Sequence, residues 1–165
     1  MNNFTFSRTL KAPRDLVFDC WVKPERFGHW FSPASCESKL LYADVRPGGY
    51  CHQETHGDEG EVNWNKFEYL EINPIEKLVF VVSFCDRNLK PAEHPMFPEW
   101  PERLLTTVTF EDSGVDTKVT VLWEPLEASA EETAFFMSQI DACQIGWSET
   151  FDKIEKTVES LQPVS

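Results

Sequence analysis

Residues Ser129–Leu161 read SAEETAFFMSQIDACQIGWSETFDKIEKTVESL. Within this stretch Phe136, Ile140, Cys143, Trp147, Phe151, Ile154, Val158 and Leu161 recur at alternating steps of three and four. That period places them on one stripe of a long helix, with Glu131, Glu132, Asp141, Glu149, Lys153, Glu155 and Lys156 mostly elsewhere. A stripe this broad and aromatic needs a wide apolar partner, and nearly everything upstream reads as β-strand. The expectation is an α+β fold in which one unbroken C-terminal helix lies across a curved antiparallel sheet. The space between helix and sheet is where function is expected.

Working outward, Thr117–Trp123 and Leu104–Glu111 flank Asp112-Ser113-Gly114 as a hairpin, and Pro125 ends the sheet. Before them, residues 86–102 carry Pro91, Pro95, Pro98 and Pro101, so this segment is expected as a long surface loop rather than a strand or helix. Four earlier strands are predicted over 77–85, 61–72, 49–56 and 36–46. Their turns are Asn73-Pro74-Ile75-Glu76, His56-Gly57-Asp58-Glu59-Gly60 and Pro47-Gly48-Gly49. A first strand over 3–10 is followed by two short helices, the first opened by Pro13 and carrying Leu16, Val17, Cys20 and Trp21. Short turns between neighbours imply antiparallel pairing. With no repeat and no linker, residues 1–165 are expected to form one domain.

The composition bounds the function. The chain has 165 residues, 41% of them hydrophobic, with 13 Phe and 6 Trp, which suits a globular core and a cavity lined by large rings. A formal net charge of -13 argues against nucleic acid and anionic membrane surfaces as partners, since both require phosphate neutralisation. Five cysteines, Cys20, Cys36, Cys51, Cys85 and Cys143, include no CxxC pair, and Met1-Asn2-Asn3-Phe4 does not open a secretory signal. A reduced, cytoplasmic setting is expected, with each cysteine a small buried hydrophobe. No run is long enough to cross a membrane as a helix.

The order of elements, together with several local patterns, resembles the START/Bet v 1-like helix-grip superfamily, and within it the domains related to the activator of the Hsp90 ATPase. The matching pieces are Arg8-Thr9-Leu10-Lys11-Ala12-Pro13, Val17-Phe18 with Trp21 and Pro24-Glu25, and Trp30. Asp44-Val45-Arg46-Pro47-Gly48-Gly49-Tyr50, Glu71-Ile72-Asn73-Pro74 with Leu78-Val79-Phe80, Thr117-Lys118-Val119-Thr120 and Gly146-Trp147 complete them. The resemblance implies a seven-stranded antiparallel sheet gripping the C-terminal helix, with an internal cavity for an apolar ligand. That superfamily holds carriers, cyclases, a co-chaperone and members with no assigned role, so the fold alone names no activity. The segment 86–102 is longer than the family pattern and is expected over the cavity mouth.

Strand parity and the resemblance together select the expected cavity lining: Trp21, Trp30, Tyr50, His52, Trp64, Phe67, Phe84, Trp100, Cys143, Trp147 and Phe151. Phe97 and Trp100, aromatic residues in a proline-rich loop, are expected to cap it. Gly146 marks close approach to a sheet strand or to a ligand, since a glycine inside a helix costs about 1 kcal/mol relative to alanine, and in the second case Trp147, Cys143 and Phe151 form one wall of the cavity. The acid–base candidates are His52, Glu54, Glu71, Asp141 and Arg8, with Tyr50, His52 and Glu54 on one strand face and Phe67, Tyr69 and Glu71 on another. They trace no arrangement of nucleophile, base and orienting group, so no catalytic residue is assigned.

Arg46-Pro47-Gly48-Gly49 reads as a hairpin turn, not a phosphate loop, because no helix N-terminus follows it. His52 and His56 sit about 13 Å apart along a strand, too far to share an ion, and no metal or cofactor is expected. The expected partner is a small apolar or amphipathic molecule, and exposed edge strands leave a homodimer open. Two other readings stand beside the binding module. One is a small-molecule cyclase, dehydratase or hydrolase using His52 or Glu71. The other is an interaction protein like the Hsp90 activator, made less favourable by a first strand at Phe4 that leaves no room for that protein's further N-terminal domain.

Overall fold

The computed structural model describes residues 2–27, 37–94 and 97–162. The elements follow in the order β1 (Phe4–Leu10), α1 (Arg14–Val22), α2 (Pro24–Phe27), β2 (Glu37–Ala43), β3 (Tyr50–His56), β4 (Val62–Asn73), β5 (Lys77–Cys85), β6 (Arg103–Ser113) and β7 (Asp116–Pro125). Two helices, α3 (Ala130–Ser138) and α4 (Ile140–Ser160), close the chain. The strands form one seven-stranded sheet in the order β1-β7-β6-β5-β4-β3-β2, with every pair antiparallel. This is the helix-grip arrangement, α+β in class.

Alternation along each strand puts one face of the sheet against the helices. On that inner face lie Phe4, Phe6 and Leu10 of β1, Val108 and Phe110 of β6, and Val119 and Val121 of β7, all buried. The stripe of α4 meets them through Phe151, Ile154 and Val158, each fully or almost fully buried. Burying such a side chain contributes about 1.5–3 kcal/mol. The Phe151 ring lies 5.0 Å from Phe6 and 6.0 Å from Trp21 of α1. Arg8, also on the inner face, ties β1 to α4 by donating to Asp152 at 2.8 Å, to Glu155 at 3.3 Å, and to the Ser148 hydroxyl at 3.0 Å.

The expectation of one unbroken helix is corrected at Gln139. Ser129 opens α3 with a capping box, accepting the Glu132 N–H while the Glu132 carboxylate accepts the Ser129 N–H. Gln139 leaves helical geometry at φ -105° and ψ 17°, and its N–H bonds to the carbonyl of Phe136, one residue short of the helical partner. The break lets the two segments serve different partners. Phe136 buries itself between Trp100 and Trp123, at 5.5 and 6.4 Å, while the stripe of α4 continues onto β1 and α1. Leu161 lies past the helix end and is 38% exposed.

One turn needs two glycines. Gly48 adopts φ +87°, and a Cβ on Gly49 would collide with the Asp44 carbonyl, so the β2–β3 connection closes only with these residues. Among the described residues, no helix is long and apolar enough to cross a membrane.

Candidate functional site

The sheet and α4 separate toward the N-terminal half of that helix. Its C-terminal half packs directly on β1 and α1, but Gln139, Ala142, Cys143, Gly146, Trp147 and Thr150 face the inner side of β3, β4 and β5 across a gap. The gap is a cavity of about 480 Å³. The sheet side is formed by Gln53, Thr55, Asn63, Asn65, Val82, Phe84, Leu104 and Trp123. The remaining wall is the β5–β6 segment, which contributes His94, Phe97, Trp100, Pro101 and Glu102. The solvent-exposed lining residues Glu61, Phe97, Glu102 and Ala142 mark where it opens. That volume falls within the range of pockets that take small organic ligands.

Aromatic packing holds the walls in place. Trp147 stacks on Trp21 at 6.3 Å and meets Trp123 edge-on at 5.4 Å. Trp100 bridges the loop to this wall, 6.2 Å from Trp123 and 5.5 Å from Phe136. His94 lies between Phe84 at 4.9 Å and Phe97 at 5.1 Å. Its Nδ1 accepts the Phe97 backbone N–H at 3.1 Å, which assigns the proton of the neutral ring to Nε2. Burial pulls the pKa of His94 below its ordinary value, so the ring is neutral at pH 7.

Gly146 faces this space. A Cβ built on it would meet nothing within 4 Å, so the glycine makes room for no strand. Beside it, Cys143 is buried and its thiol is pushed up to about 11 by desolvation, which leaves it protonated and unreactive at neutral pH. Cys20 and Cys85 are raised to about 11 for the same reason.

Of the residues expected to line the cavity, the structure brings Phe84, Trp100, Cys143 and Trp147 to it, and Phe97 with them. Trp21, Phe67 and Phe151 lie one layer back in the packed core. Trp30 lies outside the described residues. Tyr50, His52 and Trp64 sit on the opposite face of the sheet, a correction with a definite cause. The β3–β4 register pairs Cys51 with Phe67 and Gln53 with Asn65, so it is Cys51, Gln53 and Thr55 that share the inner face.

On the outer face Glu54 is occupied by neighbours: Trp64 donates to it at 3.1 Å and the His56 Nε2 lies 2.6 Å away. The His56 hydrogen bond holds the Glu54 carboxyl below its usual range. His52 is buried there, its Nε2 without a partner among the described residues. Glu71 is turned out as well. The β4–β5 register skips Leu70 between Tyr69 and Glu71, and this bulge places Ile72 on the core while Glu71 reaches Lys77 at 3.6 Å. Sequence reasoning missed Gln53, Asn65, His94 and Trp123. The five-residue connection 57–61 was the available signal for the first two, because it sets His56 opposite Val62 and the parity of everything below.

Among the described residues, no three His, Cys, Asp or Glu side chains converge as metal ligands would. The site can enclose an apolar body, offer carboxamide and hydroxyl groups on its sheet side, and present ring faces from the loop.

A family model described as activator of Hsp90 ATPase homolog 1-like protein matches residues 11–159. No curated protein sequence matches the chain. Among solved structures, a protein from Arthrobacter aurescens superposes with a TM-score of 0.81 at 19% identity, covering 96% of this chain and 86% of its own. A protein from Staphylococcus epidermidis gives a TM-score of 0.76 at 23% identity, with 99% and 93% covered. DynU16, a protein of the dynemicin biosynthetic locus, gives 0.66 at 17% identity, with 99% of this chain and 49% of its own covered. At these identities the likeness is one of fold.

Proposed function

This chain belongs to the activator of Hsp90 ATPase homolog 1-like family, and from that premise we propose that it is a binding module for a small apolar or amphipathic molecule held between the sheet and α4. The observation that carries this reading is Gly146. A helix-interior glycine costs about 1 kcal/mol relative to alanine, and here no neighbour requires the missing Cβ. What it preserves is empty volume, bounded by Trp147, Trp100 and Phe84. Burying apolar ligand surface there drives binding at about 25 cal/mol per Å², with Gln53, Asn63 and Asn65 able to orient polar groups.

Catalysis by His52 or Glu71 loses its geometric basis, since both lie on the sheet face away from the cavity. Native mass spectrometry of freshly purified protein, with denaturing extraction of what it carries, tests the binding reading. A co-purifying small molecule of defined mass is expected. An apo mass, with no thermal shift across a panel of lipids and aromatic metabolites, overturns it.

A further inference from the structure

The charges around the cavity are one-sided. Among the described lining residues there is no lysine or arginine, and the only formal charges are the carboxylates of Glu61 and Glu102. Both are exposed and stand where the cavity opens. Glu61 is positioned by the β3–β4 turn, its carboxylate accepting the Glu59 backbone N–H at 3.1 Å. Cations close in sequence are turned elsewhere: Lys66 lies over the Tyr50 ring on the outer face, and Arg103 reaches Glu127 at 3.3 Å. His94 is neutral, as shown above.

A carboxylate or phosphate head group entering this site would shed water without meeting a counter-charge, a cost that burial does not repay. An ammonium at the opening would meet carboxylates instead of cations, with the aromatic rings of Phe97 and Trp100 also lining the site. The net charge of -13 adds a long-range attraction for cations. The interior beyond them is ring-walled through Phe84, Trp123 and Trp147.

We propose that the cavity selects an arylalkylamine, with the ring system seated against Trp147 and Trp123 and the protonated nitrogen at the acidic opening that carries Glu61 and Glu102. This rests on the binding reading above and specifies its ligand class. The test displaces a neutral fluorescent probe, N-phenyl-1-naphthylamine, with three molecules of one skeleton: 2-(1-naphthyl)ethylamine, 2-(1-naphthyl)ethanol and 1-naphthylacetate. The amine is expected to compete about ten-fold better than the alcohol, and the acid worse than either. In the Glu61→Gln/Glu102→Gln double variant the ratio of amine to alcohol affinity is expected to fall close to one. Equal competition by amine and alcohol in the wild type, or a ratio unmoved in the double variant, overturns the proposal while leaving the binding reading in place. If neither the probe nor any of the three naphthyl ligands binds, the proposal falls, while the mass-spectrometric and thermal-shift outcome above decides the binding reading separately.

Discussion

Gly146→Ala and Gly146→Leu separate an open cavity from a filled core. In α4 the glycine is flanked by Cys143, Trp147 and Thr150, and the Thr150 hydroxyl donates to its carbonyl at 2.9 Å, so the backbone is helical and held. Alanine relieves the entropic cost of glycine, about 1 kcal/mol, and its methyl meets nothing within 4 Å. For a chain of this length that gain raises Tm by roughly 2–4 °C. Leucine recovers most of the same propensity and sends its side chain into the cavity. The ligand-free protein should therefore be no less stable than the wild type, where insertion into a packed core would cost about 1–3 kcal/mol. Thermal unfolding by circular dichroism, with and without N-phenyl-1-naphthylamine, reads both effects. The expected pattern is stability rising or holding through the series while probe binding weakens with alanine and disappears with leucine. A Gly146→Leu protein that melts several degrees below wild type would mean that the space is not there.

Trp100→Ala should remove the ring that joins the loop to Trp123 and Phe136, costing about 2 kcal/mol and weakening probe binding; unchanged Tm and affinity would contradict its role as a cap. His94 adds a pH dependence. Its folded-state pKa lies below the ordinary 6.5, so the unfolded chain binds the proton first as pH falls. The stability it contributes is full above pH 6.5 and is lost as pH falls through the folded-state value. Urea denaturation should show His94→Gln flattening that slope, and an identical slope in variant and wild type would refute it. With pKa values of about 11, Cys20, Cys85 and Cys143 are thiolate in only about one molecule in ten thousand at pH 7. They should resist iodoacetamide in the native protein and react once it is denatured, which peptide mass mapping reads; rapid native labelling of Cys143 would mean that its surroundings are not apolar.

Much of the fold was legible because its signals are periodic and local. The α4 stripe from Cys143 to Val158, the glycine turn at Gly48-Gly49 and the hairpin after Asp112 each follow from spacing alone. The break at Gln139 was not, because no proline or glycine marks it; tertiary packing of Phe136 between two tryptophans decides it. The site was half legible. Phe84, Trp100, Cys143 and Trp147 announce themselves as large or stripe residues, whereas Gln53 and Asn65 look like any solvent-facing polar pair. Choosing between the two faces of β3 required carrying the register across the turn from Phe67 to Cys51. The bulge at Leu70, which turned Glu71 away, leaves no mark in the residue pattern around it.

The most direct test of the cavity's role is nuclear Overhauser spectroscopy on isotopically labelled protein with N-phenyl-1-naphthylamine bound. Binding between sheet and helix predicts contacts from the probe to the indole protons of Trp100 and Trp147 and the ring of Phe84. Contacts confined to exposed apolar residues such as Leu41 and Tyr42 of β2 would contradict the account, since the probe would then be sitting on the surface of a protein whose interior is closed to it.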